Sequence, residues 1–128
     1  MIILGFCSKT SKVLPRLICK KFRHVAVIDV RANALIMYQF VRRGQIVKLK
    51  LGRRDIKILG QYGWVFVQVK CALPRGFDMR QAWTCVGLAK YAVGICDWRI
   101  QTPDGLYQTL RKYNLLKKYN KHVIIDMT

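Results

Sequence analysis

The sequence predicts an α+β domain in which an antiparallel meander packs against a cysteine-bearing helix. Three observations predict it. Short β-branched apolar runs, separated by Gly and Asn turns, fill the first half of the chain. One strongly helical segment, carrying Cys85, follows them. At 128 residues, 52% of them hydrophobic, the chain can bury one core, so residues 1–128 read as a single domain.

The elements follow in order. Ile2 to Phe6 is a short buried strand. Ser8 or Ser11 caps a short basic helix with Val13, Leu14, Leu17 and Ile18, and Pro15 is tolerated near its start. His24 to Val30 is nearly continuous in apolar residues, as a central strand covered on both faces must be. A turn at 31–33 leads to a strand from Ala34 to Val41, and Arg42-Arg43-Gly44 turns the chain into Gln45 to Leu51. Asp55 to Leu59 is a weaker strand or loop. Trp64 to Val69 alternates, with Trp64 and Phe66 on one face and Val65, Val67 and Val69 on the other. Pro74, Gly76 and Asp78 break the pattern before a helix from about Gln81 to Val93, which Gly94 stops. Thr102-Pro103-Asp104 opens a second helix by N-cap and first-turn proline logic. A basic tail begins near residue 112, and Val123 to Met127 closes the chain as a strand.

Charge narrows the partners. Twenty-four Lys and Arg oppose six acidic residues, all Asp, for a net +18. That field attracts nucleic acid, anionic membrane or acidic protein; the plainer alternative is solubility or packing beside an acidic neighbour. Five cysteines in no C-x-x-C spacing argue for reduced thiols over a disulfide scaffold. The opening apolar stretch is too short for a signal peptide, and no run approaches the ~20 residues of a membrane span. Zinc-finger, helix-turn-helix, P-loop and dinucleotide signatures are missing from the sequence, so no metal or cofactor is expected.

Two side chains bear on chemistry. A cysteine attacks as thiolate, which a helix N-terminus or an imidazolium favours. Thr84 as N-cap puts Cys85 in the first helical turn; Asp78 as N-cap would leave it nearly two turns in. From the helix pattern alone Cys85 reads first as a small core residue beside Ala82, Leu88, Ala89 and Ala92. Of the two histidines, His122 sits in the basic tail, whereas His24 heads an apolar strand. Gln39, on the next strand across the Asn33 turn, is the candidate to orient His24. A satisfied edge histidine beside an exposed glutamine explains the same pattern.

These segments together resemble circularly permuted NlpC-type papain-like thiol hydrolases. Ile3-Leu4-Gly5-Phe6, then Phe22-Arg23-His24-Val25-Ala26-Val27-Ile28, is similar to the opening of that class, where the catalytic histidine precedes the cysteine. Thr84-Cys85-Val86-Gly87-Leu88-Ala89-Lys90, Val93-Gly94-Ile95 and Thr102-Pro103-Asp104-Gly105-Leu106-Tyr107 resemble the cysteine helix and its sequel in small bacteriophage and prophage proteins. The likeness spans roughly residues 2–111. It implies catalysis by Cys85 and His24 with Gln39 as orienter, on amide or ester bonds such as cell-wall peptide links. It also implies a phage virion or host cytoplasm as location, with virion components as partners. The positive charge then favours an anionic substrate, such as a cell-wall polymer or acidic protein tail. Arg23 and Gln39 depart from the class, which has a small or aromatic residue and an ionisable orienter there. Two other readings compete: a non-catalytic basic protein of a phage particle, and a nucleic-acid binder using Arg99, Lys112-Tyr113 and Lys118-Tyr119.

Overall fold

Among the described residues, five strands and three helices follow the chain as β1 (Ile2–Cys7), β2 (His24–Arg31), β3 (Ala34–Arg42), β4 (Gln45–Leu51), α1 (Arg53–Gln61), β5 (Trp64–Val69), α2 (Cys85–Val93) and α3 (Pro103–Leu116). The computed structural model describes residues 1–8, 24–31, 34–42, 44–71, 73, 76, 78 and 82–116. The basic helix expected after Ser8, the tail from residue 117 with His122, and the closing strand at 123–127 lie outside the described residues.

The strands form one antiparallel sheet in the order β4-β3-β2-β1-β5. Every β1 residue is buried, since β1 is paired on both edges and covered on both faces. Side-chain alternation divides the core into two clusters. Leu4, Phe6, Val25, Val27, Val67 and Val69 point to one face, where Val86, Leu88 and Ala89 of α2 and Leu106, Tyr107 and Leu110 of α3 cover them. Ile3, Ala26, Ile28, Met37 and Phe66 point to the other, beneath Ile56 of α1. The alternation expected for residues 64–69 is therefore the observed one.

One element differs from the expectation. Residues 55–59 are not a strand or loop; they lie within α1. The run Ile56-Lys57-Ile58-Leu59 alternates like a strand, but local capping decides otherwise. The Asp55 carboxylate accepts from the Gly52 N–H at 2.6 Å, satisfying a donor at the helix start. Ile56 then docks on the sheet while Ile58 stays 47% exposed, a helical split, not a pleated one.

The cysteine helix begins only at Cys85. Thr84 Oγ1 accepts from the Gly87 N–H at 2.9 Å, which identifies Thr84, not Asp78, as the cap. At the far end Gly94 takes φ 75°, and the N–H of Ile95 returns to the Lys90 carbonyl. The α3 helix opens as its sequence implies, with Pro103 first and Thr102 Oγ1 accepting from the Gly105 N–H at 3.0 Å. Gly5 is needed for a close approach. A Cβ there would lie 2.9 Å from Phe66 Cε1 and 3.0 Å from Trp64 Cε3, so only glycine lets those stacked rings cross the sheet. Among the described residues no helix is long and apolar enough to cross a membrane.

Candidate active site

His24 is the first residue of β2, and Gln39 lies on β3 beside the register pair Val27–Tyr38. Both belong to the face that α1 covers, because alternation groups His24 with Ala26 and Ile28, and Gln39 with Met37. On a sheet such diagonal neighbours are within reach of long side chains. His24 Nε2 donates to Gln39 Oε1 at 2.7 Å, both half-buried. With the amide oxygen as acceptor, Nε2 carries the proton and Nδ1 has the lone pair of a general base.

A third ring shapes this end of the sheet. Cys7 pairs with His24 on one side and Trp64 on the other, so the three share one row. The small Cys7 side chain lets the outer two meet over it, edge to face, with centroids 6.1 Å apart at 87°. The Trp64 indole in turn stacks on Phe66 at 6.1 Å and 10°. Sequence reasoning missed Trp64 as a wall of the histidine. No local signal announces it, because the pairing depends on β5 returning to the free edge of β1.

Cys85 arrives differently. It is the first residue of α2, at the positive end of the helix dipole, a position that favours a thiolate. It is half-buried against the larger cluster, and the body of α2 covers the Val25 and Val27 face of the sheet. The structure thus brings His24 and Gln39 into a hydrogen bond on one face of β2 and delivers the cysteine helix to the other. Ring and sulfur can face each other only around the His24 end of β2.

A groove of about 420 Å³ flanks α2, lined among others by Asp78, Trp83, Thr84, Lys90, Tyr91 and Gln101. Lys90 Nζ donates to the carbonyls of Asp97 at 3.0 Å and Ile100 at 2.8 Å, tying the far wall to the helix. The Arg99 guanidinium and N–H on the Asp97 carboxylate hold its pKa below the usual range. Trp83 is 68% exposed and stands one residue before the cap. Among the described residues no group of three or more His, Cys, Asp or Glu is arranged to hold a metal ion.

No protein-family model matches the chain, and neither a curated protein nor a solved structure matches it.

Proposed function

We propose that this protein is a thiol hydrolase of the permuted papain-like kind, with Cys85 as nucleophile, His24 as base and Gln39 as the group that orients the base. The observation that carries the reading is the His24–Gln39 hydrogen bond. It occupies Nε2 and turns the basic nitrogen of the ring to Nδ1. His24 takes the Cys85 proton, the sulfur attacks the carbonyl carbon, and the Cys85 backbone N–H helps hold the oxyanion. The imidazolium returns its proton to the leaving amine or alcohol, and water then hydrolyses the thioester. Substrates are amides or esters, with anionic ones favoured by the +18 charge. A phage particle or its host is the setting.

Iodoacetamide tests this. Cys7 is buried, and burial pushes the Cys71 thiol up, so both react slowly whatever the function. Among the described residues the informative rival is Cys96, which is exposed where Cys85 is half-buried. Exposure alone predicts that Cys96 reacts first. A thiolate at Cys85 is expected to reverse that order at neutral pH, and His24→Ala to restore it. Faster labelling of Cys96 in the unsubstituted protein would sink the proposal.

A second reading has its own observation. Lys48 and Lys50 are exposed on one face of edge strand β4, and Arg53, Arg54 and Lys57 are exposed on α1, which packs on the other face, with Asp55 the one acid among these residues. Lys48 Nζ also lies 5.9 Å from the Tyr38 ring centroid. A sheet edge flanked by cations on both faces suits a nucleic-acid backbone wrapped over it, the role of a non-catalytic particle protein. If all five cations meet phosphates of a single strand, log K against log salt falls with a slope of about −3.5. Absence of binding at low salt removes this reading.

A further inference from the structure

The corner of the sheet farthest from His24 holds a second cavity, of about 580 Å³, between α1 and the ends of β2, β3 and β4. That is within the usual range for small-molecule sites, roughly 300–1,000 Å³. It exists because α1 leaves the end of β4, residue 51, and crosses to the start of β5, residue 64, covering this corner obliquely.

Its walls are of two kinds. Ile3, Leu35, Leu51 and Ile56 supply apolar floor. Arg53 and Lys57 also line it, and with Ile56 they stand at i, i+3 and i+4, one stripe of α1. On a helix that packs on a sheet this stripe is ordinarily apolar. Two of its three residues here are cations, and neither has an acidic partner among the described residues. The third cation at the rim, Arg31, is already bound to Asp29 at 3.0 Å.

We propose that this cavity binds an anionic amphiphile: an acyl or alkyl chain lying on the Ile3, Leu35, Leu51 and Ile56 floor, with its carboxylate or phosphate head between Arg53 and Lys57. The chain buries apolar surface that the fold leaves open, and the head supplies the charge the two cations lack. The site is remote from His24 and independent of the hydrolase reading. A simple polyanion would not use the floor, and an uncharged lipid would not use the stripe.

A dansyl-labelled undecanoic acid serves as the probe, titrated into the full chain and followed by emission. Saturable enhancement is expected, reversed by laurate or dodecyl phosphate and about tenfold less effectively by dodecanol. Whichever anion displaces better identifies the head. Arg53→Glu with Lys57→Glu is expected to weaken binding at least about tenfold; Arg53→Gln with Lys57→Gln serves if the reversed pair misfolds. Lys48→Glu with Lys50→Glu makes the same charge change on the opposite face of β4, since those residues pair with Tyr38 and Ile36. That pair should leave binding intact, as should Cys85→Ser. An equal loss in the Lys48/Lys50 pair, dodecanol competing as well as laurate, or displacement by inorganic phosphate alone would each overturn the proposal.

Discussion

Cys85→Ala is expected to lower kcat/KM on an activated ester such as p-nitrophenyl acetate by about a thousandfold or more. The substitution removes one sulfur from a half-buried site at the start of a helix whose cap, Thr84, is untouched, so the fold should survive. His24→Ala should cost nearly as much, and the double substitution little more than either, because nucleophile and base act as one unit. Gln39 refines the same test. As an amide it orients the ring without neutralising an imidazolium; Gln39→Glu puts a full negative charge near Nε2, where the present bond is 2.7 Å. That raises the imidazolium pKa. If the active form is a thiolate–imidazolium pair, activity is lost as pH rises through that pKa, so the alkaline limb of the rate profile moves to higher pH. Ester hydrolysis unchanged in Cys85→Ala would end the enzymatic reading outright.

The second large effect is on stability. Phe66→Ala is expected to destabilise the fold by about 3–5 kcal/mol, toward the upper end of that range. Phe66 is fully buried and is, among the described residues, the only aromatic ring buried in the smaller cluster, where its neighbours are Ile3, Ala26, Ile28, Met37 and Ile56. Gly5 lies beneath the ring and Ala26 shares the cluster, so little side chain is close by to collapse into the hole. Against a typical total of 5–15 kcal/mol, such a loss is a large fraction. In urea the midpoint should fall by roughly 2 M with unchanged slope. Phe66→Leu keeps most of the volume and should cost clearly less. Trp64 loses its stacking partner in the alanine variant, so its emission should change as well. A midpoint shift below about 0.5 M would mean that α1 and β5 do not enclose this ring as described.

Particular residues show why some features were legible and others were not. The five apolar runs became strands because their period and turn residues are local properties, and β4 and β5 run from residue 45 to 51 and 64 to 69 as read. The Asp55–Leu59 segment misled for a local reason too. Its alternation looks pleated, while the single bond from the Gly52 N–H to the Asp55 carboxylate selects a helix. The choice between Thr84 and Asp78 as cap could not be made from residue types, since both are competent; φ −145° and ψ 165° at Thr84, with its bond from the Gly87 N–H, decide it.

The sequence by itself determined the α+β class, the extents of β4 and β5, Gln39 as a candidate neighbour of His24 across a hairpin, and the excess of positive charge. All of these depend on neighbours, on period, or on a short turn. Only the tertiary structure decided that β5 closes on β1 and so brings Trp64 to His24. It also decided that α2 covers the Val25 face while the imidazole belongs to the Ala26 face, and that α1 carries two cations over an apolar corner. These follow from strand order and from which face each helix covers. Both are set by burial of the whole apolar surface at once, and no short stretch of sequence encodes them.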